Sequence, residues 1–233
     1  MAREIRHGTG QAIEPPSSFL DALPRAVRDQ VRARMNPRRY QPGQAVIRQG
    51  EEADSLYLVK SGRVSFHFGT PSGDNVILDV FGPGEVFGEM GVLLTRHERT
   101  ATAVAIDQVT MLVLPREQVD QLRREHPPVN DFLLLILAKR CDRLSRRVAE
   151  AHYVAVERRV ARRLYEVGRH FAGVGTSIVL PLTQAHIAQL AGTTRPTANQ
   201  VLKGLETEGI LRLGRGRIEL LNVPALLRHC HWS

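Results

Sequence analysis

Gly82-Pro83-Gly84-Glu85-Val86-Phe87-Gly88-Glu89-Met90-Gly91, followed by Arg99-Thr100-Ala101, is the most informative run of residues in this chain. It sets the Glu89 carboxylate, the Arg99 guanidinium and a run of backbone N–H groups inside a glycine-punctuated region. Arg99 offers a planar fork of donors that matches phosphate oxygens in pairs. The Gly88-Glu89-Met90-Gly91 turn, opening a short helical segment, points unsatisfied N–H groups at the same anion. Glu89 sits well beside a phosphate only when it accepts a hydrogen bond, and a ribose 2′-hydroxyl supplies one. Together these groups suit a small ligand carrying both a phosphate and a sugar hydroxyl. The same residues would also serve a hairpin in which Glu89 and Arg99 form a structural ion pair.

Outward from this stretch, residues from Arg38 to Leu114 alternate short β-rich runs with turn clusters. The runs are Ala45–Ile47, Leu56–Val59, Val64–Phe68, Val76–Phe81 and Thr110–Leu114. Gln41-Pro42-Gly43-Gln44, Ser61-Gly62, Thr70 to Asn75 and Phe81 to Gly84 separate them. Regular strand–turn repetition of this kind argues for an antiparallel roll or barrel. Before it, Ser17-Ser18 opens a helical stretch with Phe19, Leu20, Leu23, Val27 and Val31 at helical spacing. Residues 1–16 are polar, aperiodic and read as a loose tail.

After Pro115 the pattern turns helical, with Val119 and Leu122 on one face, and Pro127-Pro128 interrupts it. The next segment carries Leu134, Leu137, Cys141, Leu144, Val148, Ala151 and Ala155 at alternating steps of three and four, flanked by charged residues. Such a seam suits a coiled coil between two copies of the chain, and also an amphipathic helix lying on its own domain.

The charge of +8 is uneven. Residues 1–155 hold 21 Lys/Arg against 19 Asp/Glu, whereas residues 156–233 hold 11 against 5. A basic terminal block points to a polyanion, most simply nucleic acid. Within it, Val156 to Arg169 is helical and Gly173-Val174-Gly175 closes it. Thr183 is a natural N-cap for a helix whose Ile187, Leu190 and Ala191 face inward, and Gly192 supplies a tight corner. A second helix, about Arg195 to Glu208, buries Ala198, Val201, Leu202 and Leu205 and exposes Thr194, Arg195, Thr197, Asn199 and Gln200. Short polar side chains with an Arg at the start of a second helix suit a major groove. Gly209-Ile210 ends it, and Leu211 to Leu221 alternates around Gly214-Arg215-Gly216-Arg217, a basic wing that could rest on phosphate. A packed helical hairpin with a solvated basic face is the plainer reading of the block.

Two cysteines, Cys141 and Cys230, lie far apart, which argues against a disulfide scaffold, a zinc site and an iron–sulfur cluster. The apolar run from Phe132 to Ala138 is too short for a bilayer, and the N-terminus lacks the apolar core of a signal peptide. The expectation is a reducing, cytoplasmic protein without a membrane contact. No nucleophile–base pair, metal-ligand cluster or P-loop is evident, so the chain reads as a non-enzyme with no catalytic residues.

The Gly82-to-Glu89 run and Arg99-Thr100-Ala101 resemble the two ends of the phosphate-binding cassette of cyclic-nucleotide-binding domains. With the helix-turn-helix in view, the chain from about Phe19 to Leu221 resembles the Crp/Fnr family of bacterial transcription regulators, of the cyclic-AMP receptor type. That resemblance implies an α+β chain: a cyclic-nucleotide-binding β-roll (a double-stranded jelly roll) over 17–126, a dimerisation helix over 127–155 and a winged helix-turn-helix over 156–233. It implies a homodimer that binds a two-fold symmetric double-stranded DNA operator, works with RNA polymerase and responds to cyclic AMP or, alternatively, cyclic GMP. The other reading is a regulator of the same type that is ligand-independent or senses a different small molecule in a decayed nucleotide pocket. Glu89 would accept from the ribose 2′-hydroxyl and Arg99 would pair with the cyclic phosphate, with Gly88, Met90 and Thr100 completing the anion site. Two neighbouring helix positions that read the purine correspond to Leu144 and Ser145; Ser145 fits the family pattern and Leu144 departs from it. A Thr at position 100 is compatible with cyclic GMP. On the DNA side the implied set is Thr183, Thr194, Arg195, Pro196, Thr197, Asn199, Gln200, Lys203, Arg215 and Arg217. Arg195 matches a guanine-reading Arg, while Pro196 and Gln200 replace an acidic residue and a second Arg. No N-terminal cysteine cluster of the oxygen-sensing branch is present, so neither a metal nor an iron–sulfur sensor is implied.

Overall fold

Pro24 divides the first apolar stretch, which the sequence suggested was one helix. A 3-10 turn over Phe19–Ala22 precedes it and α1, Arg25–Ala33, follows. A proline fits the edge of a first turn, where its missing N–H costs nothing, but not the interior of a helix. The computed structural model describes residues 19–70, 75–94, 98–172 and 177–230. The expected tail, the Ser17-Ser18 opening, the turn residues 71–74 and Gly173-Val174-Gly175 lie outside the described residues.

Eight strands follow: β1 (Asn36–Tyr40), β2 (Ala45–Ile47), β3 (Ser55–Ser61), β4 (Val64–Gly69), β5 (Asn75–Phe81), β6 (Val86–Phe87), β7 (Thr102–Ala105) and β8 (Val109–Pro115). They form two antiparallel four-stranded sheets, ordered β1-β8-β3-β6 and β2-β7-β4-β5, a double-stranded jelly roll. The period of two is plain in β3. Tyr57 and Val59 enter the core between the sheets, while Leu56 and Leu58 join the helical layer outside. Inside the roll Tyr57 stacks on Phe87 at 5.0 Å, and Phe66 meets the same ring edge-on at 5.0 Å. Such ring pairs add to the burial of their area.

The strands are followed by α3 (Arg116–Glu125) and α4 (Pro128–Tyr153). Between β6 and β7 lies the short α2 (Glu89–Leu93). Pro128 stands in the first turn of α4, a position proline favours. At 26 residues α4 is about 39 Å long. Its start is anchored by Val129, Phe132, Leu133 and Ile136, which pack with Leu20, Leu56 and Leu114. On another face of the same helix the expected seam points outward, with Leu134 63% and Leu144 and Val148 each 60% exposed. Ala155 does not belong to this helix. Val154 turns to an extended conformation and Ala155 is the N-cap of the next helix.

That next helix is α5 (Val156–Phe171), followed by β9 (Ile178–Leu180), α6 (Gln184–Leu190), α7 (Arg195–Thr207), β10 (Leu211–Gly214), β11 (Arg217–Leu220) and α8 (Val223–Cys230). Strands β10, β11 and β9 make a small antiparallel sheet. Leu164, Leu180, Ile187, Leu202 and Ile218 fill one core, which Ile77 and Val80 of β5 enter from the roll. A β-bulge makes this possible. Phe66 pairs with Asp79 and the adjacent His67 with Ile77, so Leu78 is an extra residue and Ile77 and Val80 reach the same face. Among the described residues no helix is long and apolar enough to cross a membrane.

Candidate functional site

Gly88 makes the site possible. Its φ of +90° is left-handed, and a Cβ there would stand 2.7 Å from the Ser55 carbonyl oxygen and 2.9 Å from Arg99 Nη1. Only glycine meets both demands at low cost. The residue caps α2, and Glu89 follows it directly into a fully buried position. Burial raises the pKa of Glu89, against the attraction of Arg140 and then Arg99, with the N–H groups of Glu89 and Met90 also favouring its charge. Arg140 Nη1 approaches Glu89 Oε1 to 2.8 Å. By hydrogen-bond geometry, however, neither carboxylate oxygen of Glu89 has a donor among the described residues.

Arg99 is held from behind. Its Nη1 donates to the Ser55 carbonyl at 2.9 Å, its Nη2 to Asp54 Oδ1 at 2.9 Å, and its guanidinium lies 5.2 Å from the Tyr57 ring centroid. A guanidinium has five N–H donors, so the side chain is oriented but far from saturated. Glu89 and Arg99 therefore take other ion partners, Arg140 and Asp54, rather than forming the structural pair that a simple hairpin would have given.

Both side chains line one cavity of about 330 Å³, together with Gly88, Met90, Thr100 and Leu144. Six of the seven ligand positions expected from the sequence thus share a single hollow. Ser145 does not line it and is exposed on α4. Thr100 Oγ1 meets Met90 Sδ at 3.9 Å, a weak contact for an exposed hydroxyl.

Sequence reasoning missed the rest of the wall. Arg140, Arg143 and Arg147 project from successive turns of α4 and, with Asp79 of β5, line the same cavity. Arg143 Nη1 donates to Asp79 Oδ2 at 2.6 Å and Arg147 Nη2 to Asp79 Oδ1 at 2.9 Å. Burial penalises the Asp79 charge, but attraction to Arg147 and Arg143 outweighs it and lowers the pKa. The available signal was the spacing of three and four between these arginines, which puts them on one helix face.

The second group of expected residues lies on α6, α7 and the β10–β11 hairpin. Thr183 caps α6, its hydroxyl accepting from the His186 N–H at 3.2 Å while His186 reaches back to the Thr183 N–H. Gly192, at φ +61°, forms the corner before α7. Thr194 caps α7 and shares a 2.8 Å hydroxyl contact with Thr197. Arg195, Pro196, Gln200 and Lys203 are exposed, whereas Thr197 and Asn199 are half-buried. Arg215 and Arg217 stand exposed at the hairpin tip and its returning strand. Among the described residues no cluster of three or more His, Cys, Asp or Glu could hold a metal ion.

Comparison with known proteins assigns the two modules. Residues 37–126 match the cyclic nucleotide-binding domain and residues 158–229 the Crp-like helix-turn-helix domain. The chain is similar to the cyclic AMP receptor protein of Thermus thermophilus, at 36% identity over 81% of this chain and 85% of that one. It is also similar to a CRP-like cAMP-activated global transcriptional regulator of Mycobacterium tuberculosis, at 30% identity over 89% of each. Among solved structures, the c-di-GMP-responsive global regulator CLP of Xanthomonas campestris superposes with a TM-score of 0.70 at 25% identity, covering 84% of this chain and 98% of that one.

Proposed function

The chain belongs to the Crp/Fnr family of transcription regulators, with a nucleotide-binding and a helix-turn-helix DNA-binding domain, and from that premise we propose that it acts as a homodimer whose DNA binding is controlled by a cyclic nucleotide. The observation that carries this reading is the fully buried Glu89 carboxylate, ion-paired with Arg140 but making no hydrogen bond of good geometry, in one cavity of about 330 Å³ with an oriented Arg99. A hollow of that size accommodates a small ligand. A ribose 2′-hydroxyl would donate to Glu89, and the cyclic phosphate would take the free N–H groups of Arg99. Thr100, Met90 and Leu144 are left to meet the base. Cyclic AMP is the effector we favour, because the Thermus thermophilus and Mycobacterium tuberculosis relatives, at 36% and 30% identity, are named for it. Cyclic GMP is the alternative, its guanine edge within the reach of an exposed Thr100 hydroxyl.

The exposed seam of α4 gives the second copy a place to pack, and Ser145 would then face the partner's cavity rather than its own. Pairing along this seam sets two α7 helices side by side. Their spacing on an operator would be about 34 Å, one helical turn of DNA. Arg195 would read a guanine edge, while Arg215 and Arg217 would rest on phosphate. RNA polymerase is the expected partner at the promoter, in the cytoplasm.

Selection from a random DNA pool with and without cyclic AMP tests this. The expected product is an inverted repeat with half-sites one helical turn apart, enriched by the nucleotide. Recovery of no symmetric sequence under either condition would overturn the reading.

A further inference from the structure

Asp79, Arg143 and Arg147 line two hollows. One is the effector cavity; the other, also about 330 Å³, lies between the roll, α4 and α5 and is lined further by Glu85, Glu166 and His170. These three residues are therefore a wall, one face toward the effector and the other toward the DNA-binding module.

The wall continues into that module by two short routes. Arg147 Nη2 stands 3.9 Å from Glu166 Oε2 on α5, and Glu166 is also ion-paired with Arg163. Arg163 in turn pairs with Glu150, which returns the route to α4. On the other side Arg143 Nη2 stands 3.8 Å from Glu85 Oε1, and Glu85 Oε2 is 3.4 Å from His170 Nδ1 on α5. Arg63 of the roll donates through Nε to the His170 carbonyl at 2.7 Å, closing the junction. Asp79 sits where both routes begin, and it lies on the strand whose Ile77 and Val80 enter the core of the DNA module.

We propose that Asp79 is the positioning residue through which occupancy of the effector cavity reaches the DNA-binding module. The proposal rests on the reading of that cavity as the nucleotide site. A ligand shifts a conformational equilibrium only through contacts that differ between the states. Here the contact is a competition for guanidinium N–H groups. Arg147 already donates to the Leu78 carbonyl and to Asp79, and its Nε is buried with no acceptor among the described residues. An anionic ligand beside the wall adds an acceptor, and the arginines redistribute their donors between it, Asp79, Glu85 and Glu166. Because Asp79 fixes both guanidiniums at once, that change reaches Glu166 and Glu85 together, and with them the seating of α5.

The experiment compares full-length wild type, Asp79→Asn, Asp79→Glu and Glu166→Gln. Nucleotide affinity is read by calorimetry, and operator affinity with and without saturating cyclic AMP by fluorescence anisotropy. Wild type is expected to change its operator affinity at least fivefold on adding nucleotide, the lower end of ordinary coupling. Asp79→Asn is expected to bring that ratio close to one at saturation, with Asp79→Glu recovering most of it. Glu166 lies outside the effector cavity, so Glu166→Gln is expected to bind nucleotide within twofold of wild type yet lose at least half of the ratio. A wild-type ratio in Asp79→Asn or in Glu166→Gln would overturn the proposal. Hydrogen exchange on nucleotide-free protein separates this failure from that of the nucleotide reading. There Asp79→Asn is expected to raise amide exchange across residues 163–171 about fivefold, with Glu166→Gln raising it in the same direction. Unchanged exchange in both would sink the wall whatever ligand the cavity takes, whereas absence of calorimetric heat in wild type would sink the nucleotide reading alone.

Discussion

Arg140 Nη1 lies 2.8 Å from Glu89 Oε1, so the long helix α4 supplies the cation that the roll's buried carboxylate faces. The same guanidinium donates through Nη2 to the Val86 carbonyl at 3.0 Å, and so ties the helix to the edge of β6. Removing one member of a buried pair leaves the other charge without compensation. Because Arg140 is about a quarter exposed, part of that cost is screened. Arg140→Gln is expected to lower unfolding stability by about 2 kcal/mol, read as a fall in the urea midpoint. An unchanged midpoint would mean that Glu89 needs no cation.

Acid and base at the domain junction predict a particular pH behaviour. Burial raises Glu85 to about 7 and lowers His170 to about 4. The raised Glu85 contributes stability that is present below its ordinary pKa and lost as pH climbs through about 7. The lowered His170 acts in the opposite sense, its share being complete above its ordinary value and lost as pH falls through about 4. Between roughly pH 4.5 and 6.5 the two proton balances offset each other. His170→Gln removes one of them. Its stability relative to wild type is expected to fall as pH rises across that window, by no more than about 1.4 kcal/mol per pH unit. Urea titrations at several pH values read this, and a flat difference would contradict it.

Much of the roll was legible before the structure. Strands β3, β4, β5 and β8 carry apolar runs bounded by Gly and Pro turns, and each was anticipated within a residue or two. Strand β1 was not, because its Asn36, Pro37, Arg38 and Arg39 are exposed on a sheet edge and show no apolar face. Strand β7 is Thr-Ala-Val-Ala, too small in side-chain volume to stand out. The helix-turn-helix was readable because Thr183, Gly192 and Thr194 mark its caps and corner. At the site, Glu89 and Arg99 are close in sequence and visible as a motif. Asp79 and the arginines at 140, 143 and 147 come together only through the fold. Arginines on a long helix read as solvated charge until the face resting on the roll is known.

The apolar seam of α4 predicts an oligomer. Val148 is exposed in the single chain and makes no part of the effector cavity. Val148→Glu is expected to shift sedimentation from dimer to monomer at micromolar concentration, since like charges would meet across the seam. Wild-type sedimentation of this variant would place the interface elsewhere.

On the DNA side the two kinds of contact predict different failures. Arg195→Ala is expected to cost about 1–3 kcal/mol of operator affinity and relax preference at one base position. Arg215→Ala and Arg217→Ala are expected to weaken binding to all sequences and flatten its salt dependence. Competition assays with single-base operator variants at two salt concentrations distinguish these. Unaltered base preference in Arg195→Ala would remove α7 from the reading role.

The most direct measurement is isothermal titration calorimetry of the purified chain with cyclic AMP and with cyclic GMP, beside Arg99→Ala. Saturable binding of one nucleotide per chain is expected in wild type. In Arg99→Ala it is expected to weaken by about 2–4 kcal/mol, because the phosphate loses its charged donor. Absence of heat with both nucleotides, or equal affinity in Arg99→Ala, would contradict a cavity in which Glu89 holds the ribose and Arg99 the phosphate.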